Sequence, residues 1–479
     1  MKSLLIAFFC CVILNPVAAQ KQAAIWYFGE NAGLDFRQGS PRLLPNGALK
    51  TEEGTATISD AQGNLLLYTD GVTVYNQFHE VMTNGTNLWG HFSTTQTLVV
   101  QRPNDNSIYY IFTASPSFDT WFGPGSDSVG FHYSVVNKAL RGGAGEVVQK
   151  NILLHRNTTE KMAAVFHTNG TDIWVLTHEW NSNRFLAYLI TETGINTSPV
   201  ASIKGSILQK KNGTNANAAG QLKILPDGTK VVNATPDFPA GGIIELFEFD
   251  SSSGMVTNLI DRINLGLQVL THYGTEFSPD SRFVYFTVSY TFCGVNDPDQ
   301  PSTVWQYSFE NKTLKQVGHY IGKLGAMQLG PDGKIYVASC NDIAGESGSI
   351  AVINYPNRHG NSCNFQSKAI STTGRSRSGL PNFIASYFRF EDPVIDMPNI
   401  FTPNGDVYNP VFKPIVFDHM VDADLTIFNR WGQQVYYTRE VKSGWDGDNA
   451  SEGVYYWLLR YEGKNGKKGT AKGWVHLLR

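Results

Sequence analysis

The sequence predicts an all-β chain: a seven-bladed β-propeller followed by a small Ig-like β-sandwich. Three observations lead there. A tight-bend motif followed by an apolar run recurs at the spacing of propeller blades. The aromatic, Gly and Asn usage is that of strands and turns rather than helices. The final stretch, from Val394 to Arg479, keeps the strand-and-turn rhythm but lacks the repeating bend.

The bulk composition bounds the answer before any motif is read. The chain has 479 residues, too many for one ordinary core unless a repeat extends it. It is 42% hydrophobic and only 16% charged, which excludes a disordered chain. A formal net charge of -3 offers no electrostatic reason to expect nucleic acid as a partner. Lys2, the apolar run Leu4 to Leu14 and the small residues Val17-Ala18-Ala19 read as a signal peptide over residues 1–19. A lipoprotein signal is rejected, because Phe9 and Cys10 precede Cys10 and Cys11 where a small residue belongs. No other stretch is long enough to span a bilayer, so an exported, soluble mature protein is expected. Cys293, Cys340 and Cys363 remain after the signal. A Cys340–Cys363 disulfide with one spare thiol is the preferred arrangement, and three unpaired thiols the alternative.

The bend is clearest at Pro331-Asp332-Gly333, ahead of the strand Lys334 to Ser339. Proline pre-sets φ, aspartate bonds back to the backbone, and glycine takes the positive φ. Five relatives precede apolar runs: Asp60 to Gly63, Pro103 to Asn106, Thr168 to Gly170, Pro226 to Gly228 and Pro279 to Ser281. The prolines at 226, 279 and 331 fall at a blade-like interval. Each unit accommodates four strands, and the second is apolar throughout because blades stack face to face. Six units occupy Gly54 to Thr373. The remainders complement each other: Gly379 to Phe388 reads as a first strand, and Ile25 to Phe28 with Gly33 to Phe36 and Arg42 to Leu44 as later ones. Joined, they complete a seventh blade and remove the open edges, and six or eight blades are the alternatives. The propeller is thus assigned to residues 20–391 and the sandwich to 392–479, with Glu391-Asp392-Pro393 as linker.

The last domain carries a recognisable set of motifs. They are Asn404-Gly405-Asp406 within Pro398 to Asp406, Asn429-Arg430-Trp431-Gly432, Trp445-Asp446-Gly447, Gly453 to Tyr456, and Lys472-Gly473-Trp474 leading to Arg479. In order and placement they resemble the gliding-motility-associated C-terminal domain, the type B sorting domain of the Bacteroidetes type IX secretion system. The resemblance implies export across the inner and outer membranes and the secretion machinery as partner. Val407 and Pro410 depart from the family's acidic turn. The segments Ile25 to Phe36, Gly54 to Asp60, Leu67 to Gly71 and Gly379 to Phe383 are similar to the propeller-like region that often precedes this domain. That region implies fold and location and leaves the ligand open.

Chemical motifs are sparse. Gly345 to Ser349 misses the nucleophile elbow at its last position. His79-Glu80 and His178-Glu179 lack the second histidine of a zinc helix. Gly142 to Gly145 reads as a loop. Three constellations remain. The first-strand starts Thr94 to Gln96, Lys161-Met162, Asn217, His272-Tyr273, Met327-Gln328 and Arg377-Ser378 could line an axial funnel for a sugar or peptide, with His272, Tyr273, Gln328 and Arg377 as contacts. Ordinary solvated blade entrances are the simpler explanation. Phe118, Trp121 and Phe122, in the Gly/Pro-bounded stretch Ser117 to Gly125, form an aromatic loop suited to contact or to covering a blade edge. Asp406, Asp446 and Asp448 read as turn-formers or as oxygen ligands for calcium. Lys464, Lys467, Lys468 and Lys472 read as a solvated hairpin tip, or as a contact if the machinery reads charge. No cofactor is expected. The leading function is a secreted or cell-surface binding or adhesion protein recognising an extracellular glycan or protein. The alternative is a propeller hydrolase or lyase acting on polysaccharide, which needs two placed carboxyls; the strand starts above are poor in them.

Overall fold

The computed structural model describes residues 21–115, 130–211, 215–237, 242–266, 271–289, 301–340, 348–406 and 408–479. The signal peptide and the aromatic loop with Phe118, Trp121 and Phe122 lie outside these residues. Before residue 394 the described chain forms seven antiparallel sheets of three to five strands, in a propeller-like arrangement. The first contains Ile25–Phe28, Ala32–Asp35 and Arg42–Leu43. The next six begin with Ala56–Ser59, Leu98–Gln101, Thr158–Phe166, Leu222–Ile224, Thr271–Phe277 and Lys323–Leu329.

Each of the six bends joins the first and second strands of one sheet. Asp60, Asp105, Asp227, Asp280 and Asp332 each accept a backbone N–H two residues on, at 2.8–3.3 Å. Asn169 does the same for Thr171 at 3.0 Å. Gly333 takes φ 81° in its bend, and where the motif offers Ser281 the chain still adopts φ 66°. Second strands are buried on both faces, as in Phe283–Ser289 and Ile335–Cys340. The outermost strand of the sixth sheet, Thr313–Tyr320, is mostly exposed.

Closure differs from the expected extra strand. Residues 376–384 do enter the innermost position, between the first strands of the seventh and second sheets. The Ala326 N–H donates to Ser378 O at 2.8 Å, and the Ser378 and Asn382 N–H groups donate to Glu52 O and Thr55 O at 2.8 and 2.9 Å. The backbone bridge to the first sheet lies just before this segment, at Glu30–Arg375, and within it Phe383 packs on Trp26 with ring centroids 5.8 Å apart. Pro381 lacks an N–H, and Gly379 passes so near Glu53 O that a side chain there would overlap it. A regular ladder therefore cannot form. The segment instead crosses to the fourth sheet, where Ile384 bridges Ala164 and the Asn382 amide donates to Met162 O at 3.1 Å. It ends in the 3-10 turn Ala385–Phe388. The first and seventh sheets share one core, with Trp26 and Tyr336 ring centroids 5.3 Å apart.

Beyond residue 394, one five-stranded sheet runs in the order Ile400–Phe401, Lys468–Leu477, Gly453–Gly463, Met420–Phe428, Gln434–Thr438. Its first pair is parallel and the rest are antiparallel. A short ladder, Val394–Asp396 with Val416–Asp418, contributes Ile395 and Phe417 to a core of Phe401, Leu425, Ile427, Trp445 and Leu459.

The expected Cys340–Cys363 bridge does not form. Cys363 is a free, buried thiol, pushed up to about 11 by desolvation beside Tyr285. Cys340 is disulfide-bonded, and its partner is not among the described residues. Cys363 packs instead into the core shared by the sheets.

The close approach at Gly379 makes a direct test. Gly379→Ala should cost about 1–3 kcal/mol by overpacking and lower the thermal midpoint. An unchanged midpoint would show that the segment is not held against the second sheet.

Candidate functional site

The innermost strands set the geometry around the axis through a repeated close contact. A Cβ added at Gly54, Gly274, Gly325 or Gly379 would overlap Thr94 O, Gly325 O, Ser378 O or Glu53 O respectively. Each contact belongs to the next innermost segment round the axis. Glycine is required there because backbone meets backbone. The residues just before these glycines, Glu52-Glu53, His272-Tyr273, Lys323-Leu324 and Arg377-Ser378, therefore gather at one rim.

Two carboxamides tie these strands together. Gln96 Oε1 accepts the Met162 and Leu222 N–H groups at 3.1 and 2.9 Å, and its Nε2 returns a bond to Leu222 O at 3.1 Å. Gln221 Oε1 accepts the Thr275 and Met327 N–H groups at 3.1 and 2.7 Å. Each side chain spans three consecutive sheets. Lys161 is fully buried and donates to Asn233 Oδ1 at 3.0 Å, Thr235 Oγ1 at 3.3 Å and Ala234 O. Burial pulls its pKa down to about 7.

The four expected funnel contacts are all buried. His272 packs on Phe286, with ring centroids 5.7 Å apart. Gln328 lies deeper, its Oε1 accepting Lys223 Nζ at 2.5 Å, while Lys223 pairs with Glu276 at 3.3 Å. Arg377 donates through Nε to Glu30 Oε1 at 2.9 Å and lies 3.5 Å from Glu52. Tyr273 sits under the Lys323 ammonium, 5.1 Å from its ring centre, against Glu53 and Thr95. Met327, Thr95 and Asn217 are also buried. An open funnel at these positions is thus replaced by a bonded rim.

The rim holds more carboxylates than the strand starts suggested: Glu30, Glu52, Glu53 and Glu160. Glu160 accepts the Thr95 N–H and hydroxyl at 3.0 and 3.1 Å. Glu53 pairs with Lys323 at 3.7 Å, yet desolvation first, reinforced by Glu160, pushes its pKa up to about 7 despite that cation. Sequence reading missed Glu52-Glu53 because it aligned strands rather than the glycine that follows each dipeptide. The shared placement before Gly54, Gly274, Gly325 and Gly379 was the available signal.

In the last sheet the motif residues divide in two. Trp445 is core, 5.3 Å from Phe401 and 4.9 Å from Tyr455 between ring centroids. Gly473 lies flat against the Trp457 ring. Asn429 Oδ1 accepts the Trp431 and Gln433 N–H groups at 3.0 Å, and Gly432 takes φ 79°, shaping the hairpin bend. Asn404, Gly405 and Asp406 form an exposed turn in which the Tyr408 N–H donates to Asp406 at 2.8 Å. Asp446 accepts the Asp448 N–H at 3.0 Å. Among the described residues, no group of three His, Cys, Asp or Glu is placed to hold a metal. Arg430 lies over Trp431, which is 79% exposed, and Trp474 is 51% exposed. Lys472 is exposed, whereas Lys464 is half-buried and donates to Pro331 O at 2.8 Å. The lysine tip is therefore not wholly solvated, because it rests on the Pro331-Asp332-Gly333 bend.

Comparison with known proteins finds similarities to both parts of the chain. Residues 395–477 match the CHU_C Type IX secretion signal domain. No curated protein sequence matches the chain. A solved candidate 6-phosphogluconolactonase from Bacteroides fragilis is 12% identical, with 74% of this chain and 96% of that one covered and a TM-score of 0.45. Its counterpart from Bacteroides uniformis is 14% identical over 67% of this chain and 86% of that one, with a TM-score of 0.39. The β-propeller domain of Swd1 from Myceliophteria thermophila is 11% identical over 66% and 92%, with a TM-score of 0.37. These are likenesses of fold alone. No helix among the described residues is long and apolar enough to cross a membrane. The chain carries a type IX secretion signal domain at 395–477, behind a propeller-like region.

Glu53 supplies a pH test. A carboxyl raised from 4.5 to about 7 takes up a proton on folding between those values. Its ionisation therefore weakens the fold as pH rises from 4.5 through 7. Glu53→Gln should flatten the fall in thermal midpoint between pH 5 and pH 8. Parallel profiles would place Glu53 in water.

Proposed function

We propose that the chain is a secreted or cell-surface binding or adhesion protein of a Gram-negative bacterium. In this reading residues 1–19 are a signal peptide, 20–391 a seven-bladed propeller, and 392–479 an Ig-like sorting sandwich engaged by the type IX machinery. The seven sheets and the inner placement of residues 376–384 support the blade count.

The observation that carries the binding role is the axis itself. Its inner side chains bond to one another, and the chain's own Asn382 and Phe383 lie beside Lys223, Glu276 and Gln328 in its centre. Recognition then falls to the rim and to the loops around it, the surface expected to meet an extracellular glycan or protein. Aromatic residues such as Phe118, Trp121 and Phe122 would serve there by stacking on a sugar or packing on a partner.

A hydrolase or lyase acting on polysaccharide is the second reading, favoured by Glu53. A general acid needs a carboxyl that holds its proton near neutral pH, and burial raises Glu53 to about 7, with the carboxylate of Glu160 among its neighbours.

A glycan and extracellular-protein array probed with the full exported chain, read alongside product analysis, separates the two. Binding without new reducing or unsaturated ends, unchanged in Glu53→Gln, is expected. Product formation abolished by Glu53→Gln would replace the binding reading with the enzymatic one.

A further inference from the structure

We propose that the sorting domain is latched onto the propeller-like region, and that the latch assembles only on folded sixth and seventh sheets. The contact lies on the face carrying the bends, away from the rim. Lys464 donates to Pro331 O at 2.8 Å and lies 5.7 Å from the centre of the Phe390 ring. Val421 and Lys464 cover Gly333, and Gly466 packs against Asp280 of the sixth sheet's bend.

Arg358 sits between the last two strands of the seventh sheet, Ser349–Ile353 and Phe365–Ser371. Its guanidinium stacks 4.1 Å from the Tyr355 ring centre and reaches Asp422 at 2.9 Å and Glu462 at 3.4 Å. Asn357 joins all three parts. It accepts the Asp280 N–H at 3.0 Å, its backbone oxygen accepts Arg282 at 2.6 Å, and its amide donates to Lys464 O at 3.3 Å.

The linker is held as well. Asp392 accepts Lys467 Nζ at 2.6 Å and Asn465 Nδ2 at 3.0 Å, Glu391 lies 3.6 Å from His419, and Pro393 packs on Gly463. Single exposed pairs of this kind contribute little. Here several act at once, and the short linker makes docking intramolecular, which raises the effective concentration of each group. The sorting domain's partners are turn groups: Pro331, Asn357 and Arg358, from two hairpins of the seventh sheet, stand beside Asp280 of the sixth sheet's bend only after both sheets have formed and packed. A chain with an unfinished seventh sheet would leave the signal domain loose. While docked, the Lys464 tip is unavailable to another protein, and the domain's free surface is the one bearing Trp431 and Trp474.

The test is cleavage after Glu391 by a glutamyl endopeptidase on the full exported chain, since cleavage reports the open population. The unaltered chain should be cut slowly. Arg358→Glu and Asp422→Arg, which break the contact from opposite sides, should each accelerate cutting about tenfold or more. Thermal midpoints tell release from misfolding, and Asp422→Arg leaves the propeller-like region untouched should Arg358→Glu fail to fold. The double variant Arg358→Glu/Asp422→Arg should recover slow cleavage. Lys413→Glu, at an exposed position of the same domain, should change nothing. An unaltered chain cut as fast as Arg358→Glu, or two single variants cut at the unaltered rate, would overturn the latch.

Discussion

The close approach of backbone to backbone around the axis governs everything else in the propeller-like region. Gly54, Gly274, Gly325 and Gly379 each sit where any side chain would strike the neighbouring innermost segment. That spacing brings Gln96 and Gln221 within reach of N–H groups two sheets away, so one carboxamide satisfies donors on two strands. It also explains why residues 376–384 can stand in for a strand without pairing as one. The segment's partners are the innermost strands on either side and across the axis, not a ladder in its own sheet.

A narrow axis buries its side chains, and the charged groups there are arranged accordingly. Lys161 meets three oxygens, Lys223 meets Glu276 and Gln328, and Glu160 receives two hydrogen bonds from Thr95. Buried charge is tolerated only when each group finds such partners. Glu53 is less well matched. Its one cation, Lys323, lies 3.7 Å away, and desolvation pushes its pKa up to about 7. Tension of this kind is concentrated at the rim, where the second functional reading would place its chemistry.

The two faces divide the work. One face presents the rim, and the other presents the six bends, of which those of the sixth and seventh sheets hold the sorting domain. An export signal attached there leaves the rim clear for a ligand. The arrangement also turns a turn-forming residue into part of an interface. Asp332 still accepts the Lys334 N–H, but it also accepts the Tyr336 hydroxyl at 2.8 Å, and burial beneath the sorting domain raises its pKa.

Local chemistry was enough to identify the repeating unit. A proline, an Asx residue and a left-handed position make a bend wherever they occur, and all six bends fell between first and second strands. The all-β class, the strand pairs around Asn429 to Gly432 and the secretion signal domain were readable for the same reason: each rests on neighbours in sequence. What the chain does across long separations was not readable. Cys363 lies close in sequence to Cys340 yet packs into the core unpaired. His272, Tyr273, Gln328 and Arg377 looked like funnel residues until the axis proved too narrow to leave them exposed. Glu30, Glu52, Glu53 and Glu160 became one rim, and Lys464 became an interface residue. Pattern determines which residues bend and which alternate, because those effects act over a few residues. Only the packed structure decides which of them meet, because burial and charge pairing depend on what closes over each group.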